Sequence, residues 1–457
     1  MSSPELRSPD PSVQAMLDVE TRHVPVALRN TGNAEVPTRA IQRERYTDAA
    51  FADLERNRLW ARTWQMACRL EDIPEVGDYI VYNVGSMSLL VTRTATDEIV
   101  AHVNACLHRG RMLRETDGHA QDFRCPFHGF TWHIDGRCKA LVNGWDFAHV
   151  DQSKFNLPRA HVGVWGGFVF VNSDDDPEPF ETFLEFLPEH YATRGWDLAL
   201  RRKAVHVRKL HHCNWKVALE AFIESFHVSE THRSAMAYLG DAMTQYDVWQ
   251  GFRTTRMISP RGLHSPNHPP LCDEEVFRAG LRPGLGAAAD AVDLPHGMTP
   301  RAALADMRRR SLLADGLDVA DATDCELVDT IQYHVFPNLV LWAGWGSYLV
   351  YRFLPHGDTP DMCSMEIMFL VPQSPGHETE VMREAKVIAP EESHSVVPEL
   401  GGFAAVFDED MSNLAALQRG LKAMRTPGPM TGAIQEARIR HFHTCLDAFM
   451  ARESRGQ

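Results

Sequence analysis

Two short segments of the chain combine thiols with imidazoles. Cys106-Leu-His108-Arg-Gly110 is followed, after fourteen residues, by Cys125-Pro-Phe-His128-Gly129. Each segment offers one sulfur and one nitrogen ligand, and a set of two thiolates and two imidazoles suits a structural zinc ion or a 2Fe-2S cluster. Zinc knuckles commonly keep Cys with Cys and His with His, whereas each loop here mixes them, which favours a cluster with both thiolates on one iron and both imidazoles on the other. Imidazoles in place of two thiolates leave the cluster less negative, raising its potential and suiting it to one-electron delivery.

A second group follows Asn214-Trp215-Lys216: Glu220, Glu224, His227 and His232. At ~100° per residue, Glu220, Glu224 and His227 share one face of a helix, while His232 stands ~140° from His227. Both imidazoles can meet one metal only if the helix ends or bulges between them. Two His and one carboxylate make the facial triad of non-haem Fe(II) sites, which leaves positions open for O2 and substrate. The third ligand must come from elsewhere, and Phe407-Asp408-Glu409-Asp410 offers three carboxylates, of which Asp410 is the best candidate.

These motifs carry a family resemblance. CLHRG and CPFHGFTW with Asp135-Gly136 behind them, then NWKxxxE, ExxH and a second His, then an acidic pair upstream of Gln418-Arg-Gly420, resemble the Rieske non-haem iron oxygenases, the ring-hydroxylating oxygenase α-subunits. The resemblance spans about residues 45–450. It implies a Rieske 2Fe-2S cluster on Cys106, His108, Cys125 and His128, and a mononuclear Fe on His227, His232 and Asp410. It also implies that Glu224 bridges His227 to His128 of a neighbouring subunit and so carries electrons between subunits. Most members have Asp at that bridge; Glu resembles members that oxidise quaternary ammonium compounds such as carnitine. Phe130, Ala221 and Phe226 also depart from the commoner Trp, Asn and Tyr.

The elements that must hold these ligands are legible in outline. The resemblance implies an α+β architecture: a β-rich Rieske domain, then a helix-grip, START-like catalytic domain with an antiparallel sheet. Residues 1–40 read as an extended N-terminal arm, 41–175 as the Rieske domain and 176–457 as the catalytic domain, with an insertion near 260–329 that reads as a lid or flap. Val162 to Asn172 reads as one buried strand and Trp215 to about Phe226 as one long helix. Strands are expected around Arg201–Leu210, Thr254–Ser259, Ile331–Trp342, Tyr348–Leu354 and Cys363–Val371. Inside the insertion, Thr299 as N-cap and Pro300 at N1 predict a helix through Ala314. Ile434, Ile439, Phe442, Leu446 and Phe449 predict an amphipathic helix over Gly432–Arg452.

The remaining expectations concern partners and substrate. A net charge of −15 argues against nucleic acid or anionic membrane as partner, and the absence of a leader or a long apolar span predicts a cytoplasmic protein. Nine cysteines in that compartment are thiols or ligands before they are disulfides. No GxGxxG opens a βαβ unit, so NAD(P)H and flavin are expected on a partner reductase, with or without a ferredoxin. The basic stretch Arg201 to Lys216 reads as a docking strip for an acidic ferredoxin or as a solvated strand edge. The resemblance implies a homotrimer, or an α3β3 assembly with a small subunit. Phe222, Trp342, Trp345 and the insertion are candidate walls for an apolar or aromatic substrate, hydroxylated or dihydroxylated with O2; the same aromatics suit a quaternary ammonium or methoxy/N-methyl compound undergoing monooxygenation or demethylation. Two rival readings are a zinc-stapled START-like binding protein and an electron carrier with a degenerate iron site.

Overall fold

The structure, a computed structural model, describes residues 8–374, 376 and 379–452, so the ends of the expected arm and catalytic domain, residues 1–7 and 453–457, lie outside the description. The chain divides into a larger unit, built from the residues up to Ala52 and from Glu185–Ala448, and a smaller one built on Asp53–Leu184. The division falls at Leu184/Glu185, past the expected boundary near 175, because the Pro-containing acidic stretch is followed by Phe180 and Phe183, which pack on Phe170 of the smaller unit.

The smaller unit is antiparallel. Its main sheet has the order Gln65–Arg69, Phe168–Asn172, Arg159–Trp165, Glu98–Val103, Met87–Ala95, Asp78–Val84, Gly118–His119. A second sheet joins Asp122–Arg124, Thr131–His133 and Cys138–Ala140. The apolar run over Val162–Asn172 is a hairpin, not one strand: Gly166 (φ 59°) and Gly167 (φ 77°) turn the chain between Trp165 and Phe168. Two successive positive φ values are what a tight two-residue hairpin turn requires, and glycine adopts them without a steric penalty.

The larger unit is built on an eight-stranded sheet: Gln245–Val248, Thr255–Ser259, Thr330–Val335, Leu339–Ala343, Leu349–Pro355, Cys363–Pro372, Arg201–His211 and Lys386–Ile388. All pairs are antiparallel except the last. The expected strand Ile331–Trp342 is two strands, folded back at Pro337. Helices Trp215–Ala221 and Phe403–Ala423 lie against this sheet, and Phe442 of helix Ala437–Met450 packs on Trp215 and His334. The α+β helix-grip expectation is met. The C-terminal helix begins at Ala437, later than the expected Gly432.

Three expectations change. The N-terminal segment is not extended throughout: Val13–Asp18 and Val26–Arg29 are helical and bury Val13, Leu17, Ala27 and Leu28 against the larger unit of their own chain. Arg256 anchors it by donating to the carbonyls of Ala27 and Asn30. The insertion is no loose flap. Its helices Asp273–Leu285 and Pro300–Ala314 share a core around Phe277, Leu281 and Ala303, and Arg301 pairs with Asp329 at 2.5 Å. Thr299 caps the second helix as its sequence predicts, accepting from Ala302 N. The insertion leaves and rejoins the sheet at directly paired residues, Ser259 and Thr330.

The basic stretch is not a surface strip. Arg201, Lys203, Lys209 and Lys216 are buried, and Arg201 and Lys209 donate to the carbonyls of Gly344 and Glu392. Arg208 is spent on Glu366 at 2.8 Å. Long side chains that satisfy their charge on backbone carbonyls inside the unit have none left for a ferredoxin; of the stretch, Arg202 is part-buried and Arg208 exposed. No helix among the described residues is long and apolar enough to cross a membrane.

Candidate metal centres

The two Cys/His segments fold into matching loops. In the first, Gly110 N donates to Cys106 O at 2.8 Å and Cys106 N to Arg111 O at 2.8 Å. In the second, Gly129 N donates to Cys125 O at 3.0 Å and Cys125 N to Phe130 O at 2.8 Å. Gly110 and Gly129 both have positive φ, 75° and 77°, which lets each loop reverse under its ligands. The thiols of Cys106 and Cys125 are buried in a core with Phe123, Phe130, Trp132 and Leu157, and are close enough to hydrogen-bond each other. The rings of His108 and His128 lie 4.7 Å apart, with His108 stacked on Phe130 at 4.8 Å.

The donor set fits a 2Fe-2S cluster. His108 Nδ1 is a buried nitrogen without a hydrogen-bond partner, as a ligand nitrogen would be, while Arg109 occupies His128 Nε2 at 2.8 Å. Two residues absent from the motif-based expectation hold the loops. Asn104, 1% exposed, accepts from the backbone of Leu113 and Arg114. Arg114 donates to the carbonyls of Asp122 and Arg124, tying one loop to the other. Gly136 has a steric reason: a Cβ there would stand 2.3 Å from His102 Nε2.

The second constellation forms because its helix breaks. Asn214 caps the helix by accepting from Lys216 N, but helical structure stops at Ala221, short of the expected Phe226. The aromatic and β-branched pair Phe222-Ile223 and the nearby Ser225 are weaker helix formers, and Glu224 turns its carboxylate onto the backbone N–H groups of Phe226 and His227. Glu220, Glu224 and His227 therefore share no helical face. Glu220 instead accepts from Tyr46 Oη at 2.9 Å and contacts His443 Nε2 at 2.7 Å, away from the metal ligands. A new helical turn, Val228–Thr231, separates His227 from His232 and lets their rings converge to 5.2 Å.

Asp410 lies within helix Phe403–Ala423. Its Oδ1 is 2.8 Å from His232 Nε2 and 3.5 Å from His227 Nε2, and ligand atoms of the three residues all lie within 4.8 Å of one another. The two alternatives have other duties. Glu409 Oε2 is 2.6 Å from His232 Nδ1, and Asp408 is 2.7 Å from His394 Nδ1. Glu224 Oε1 takes His227 Nδ1 at 2.6 Å. Each histidine thus turns Nε2 to the centre while a carboxylate holds Nδ1, the outer-shell arrangement that fixes the tautomer of metal-bound imidazoles. Burial pushes the His227 pKa down, but Glu224 and Asp410 outweigh it and raise it to about 8. The donor set fits a two-histidine, one-carboxylate iron site.

Comparison with known proteins agrees with both centres. The profile of the ring hydroxylating alpha subunit (catalytic domain) matches residues 199–452, and that of the Rieske [2Fe-2S] domain matches residues 63–143. The chain belongs to the ring-hydroxylating α-subunit family. This family is characterised by a Rieske cluster and a mononuclear iron, and its members are oxidoreductases. Over 202 residues the chain is 30% identical to the anthranilate 1,2-dioxygenase large subunit of Acinetobacter baylyi, covering 42% of each chain. It is 28% identical over 212 residues to the glycine betaine monooxygenase oxygenase subunit of Pseudomonas aeruginosa, covering 46% of this chain and 48% of that one. The match therefore spans about half the length of these curated relatives. The fold is similar to that of the quaternary ammonium Rieske monooxygenase CntA, with TM-score 0.63 and 16% identity over 90% of this chain and 95% of that one.

The expected pocket residues separate. Phe222 and Trp342 both face Tyr351, at 5.0 and 6.3 Å between rings. Trp345 belongs to the insertion's core with Ala305, Leu312 and Leu327, and its ring lies against Gly195, so it is no pocket wall.

Proposed function

We propose that the protein is the terminal oxygenase component of a multicomponent Rieske oxygenase, taking electrons from NAD(P)H through a separate flavin reductase, with or without a ferredoxin, to hydroxylate or dihydroxylate an aromatic or other apolar substrate with O2. The observation that carries this reading is the convergence of His227 Nε2, His232 Nε2 and Asp410 Oδ1, each imidazole held from behind by a carboxylate. When bound, the cluster supplies single electrons and the mononuclear iron supplies the position at which O2 is reduced. The chain's own residues do the positioning. Glu224 and Glu409 fix the imidazole planes, and Phe222, Tyr351 and Trp342 form a buried aromatic wall that excludes water.

A second reading, monooxygenation or demethylation of a quaternary ammonium or N-methyl compound, is favoured by glutamate at position 224 and by the fold neighbour that oxidises such compounds. We assign Glu224 the inter-subunit bridge. Phe226 beside it is 48% exposed, as a subunit contact would be. A homotrimer, alone or with a small second subunit, closes that circuit. A cytoplasmic setting accords with nine free cysteines.

Visible and EPR spectra with metal and sulfide analysis test the reading: about three iron and two sulfide per chain are expected. A colourless zinc protein would support the binding-protein rival, and about two iron with two sulfide the electron carrier.

A further inference from the structure

Within the larger unit, a small cavity lies between residues 37–45 and the C-terminal helix Ala437–Met450. Arg440, His443, Thr444 and Asp447 line it from successive turns of one helical face, and Arg39 and Arg45 line it from the other side. Its volume is about 20 Å³, which is room for one particle the size of a water molecule. Three nitrogens of these residues are buried with no hydrogen-bond partner among the described residues: Arg45 Nε, Arg440 Nε and His443 Nδ1. Arg440 and His443 are each 4% exposed, so bulk water does not serve them. Arg440 donates its other nitrogens to the uncharged carbonyls of Gly432 and Ala433, and Glu436, the acidic residue in its field, accepts from Gly432 N instead. Arg45 and Arg39 share one carboxylate, Asp447, at 2.5 and 3.2 Å. Three guanidiniums therefore face one carboxylate around this void.

His443 adds a conditional donor. Its Nε2 lies 2.7 Å from Glu220 Oε1 and 3.0 Å from Tyr46 Oη. A carboxylate only accepts, so Nε2 carries the hydrogen, and Nδ1 is bare in the neutral ring. Nδ1 becomes a donor only when the imidazole is protonated. Burial holds the His443 pKa below the ordinary histidine value; Arg45 and Lys216 act in the same direction, and Glu220 acts against them. An anion beside Nδ1 adds its pull to that of Glu220 and draws a proton onto the ring.

We propose that this cavity is a halide site that takes one chloride ion, held by Arg45 Nε, Arg440 Nε and His443 Nδ1. Its size excludes phosphate and sulfate, and its charge excludes a cation. A water molecule would fill the space but leave the excess of guanidinium charge uncompensated, whereas buried charges are ordinarily paired. No residue of the cavity is a metal ligand or one of the carboxylates behind the metal ligands, so the site stands apart from the oxygenase reading. The ion ties the N-terminal segment to the C-terminal helix.

The test uses the full-length protein as purified, with sodium bromide as the probe and sodium gluconate, whose anion is too large for the cavity, as the reference at equal ionic strength. Crystals grown in bromide are expected to show an anomalous peak between Arg45, Arg440 and His443. No peak there, or a peak at the iron alone, would overturn the site, and this experiment needs no variant. In solution, bromide should raise the thermal-unfolding midpoint by about 2 °C over gluconate, and sulfate should not. The rise should be larger at about pH 6 than at about pH 8, because the ion binds together with a proton and its affinity falls as pH rises. Arg45→Met keeps an unbranched apolar stem and removes the donor, so it should lose the bromide-specific rise, whereas a halide bound at the iron would survive that change. A rise that persists in Arg45→Met, an equal rise with sulfate, or a rise that grows with pH would each contradict the proposal.

Discussion

Asp408, Glu409 and Asp410 are consecutive, yet the helix that carries them sends each to a different imidazole nitrogen. Their carboxylates are chemically near-identical, so neither composition nor spacing distinguishes the ligand from its supports; only the approach of His394 and His232 from other segments does. Glu409 illustrates the gap, because its value lies in a contact across the sequence to residue 232. We expect Glu409→Gln to lower Fe(II) affinity about 10- to 100-fold while leaving the cluster spectrum intact, measured by competition with a chelator. His227 adds a pH dependence. An imidazole with pKa about 8 is protonated below that pH and must lose its proton to ligate, so iron affinity should fall as pH drops below about 8, with about one proton released per ion. Titration of proton release on iron addition at two pH values checks this; no release at neutral pH would contradict it.

At the scale of elements, the strands were the readable part. Arg201–His211 and Cys363–Pro372 lie within one residue of their expected bounds. The breaks were harder. The run Val162–Asn172 looks like one strand until two glycines with positive φ fold it, and Trp215–Ala221 ends where Glu224 captures backbone N–H groups that a longer helix would have used. The basic strand shows the same limit. Its charge is visible in sequence, but not that it runs inside the sheet, where Arg208, Glu366 and Arg352 stand directly opposite one another on three adjacent strands. Burial works against ionised Glu366, and Arg352, His206 and Arg208 hold its pKa well below the usual carboxylate range. A depressed pKa means stability present above the unfolded-state value and lost as pH falls toward the folded one, so the triad should contribute fully at neutral pH and fail in acid. Glu366→Ala should cost about 3–5 kcal/mol in urea unfolding at neutral pH, since it strands the buried Arg352, whereas the half-exposed Arg208 can turn to water. A cost below about 1 kcal/mol would show that water reaches the triad.

For the whole molecule, the two metal motifs announced the chemistry, whereas the route proposed between the centres runs through an assembly. Glu224→Ala should keep both centres, by spectrum and iron content, yet slow cluster-to-iron electron transfer in stopped-flow experiments by a large factor; unchanged transfer would remove its bridging role. Cys106→Ser should abolish the visible chromophore while leaving iron binding at His227, His232 and Asp410. These two outcomes separate loss of a centre from loss of communication. Substrate class was the least legible property, since Phe222 and Trp342, far apart in sequence, meet at Tyr351 only through the folding of the sheet.

The insertion departs from and returns to two residues that face each other in the sheet register, Ser259 and Thr330, with a core of its own between them. Its two ends need no reach, so its length is free of the sheet's register. Such a segment can lengthen or shorten between its own core and its ends and leave the strands paired as before, as long as the side that packs on Trp345 is kept.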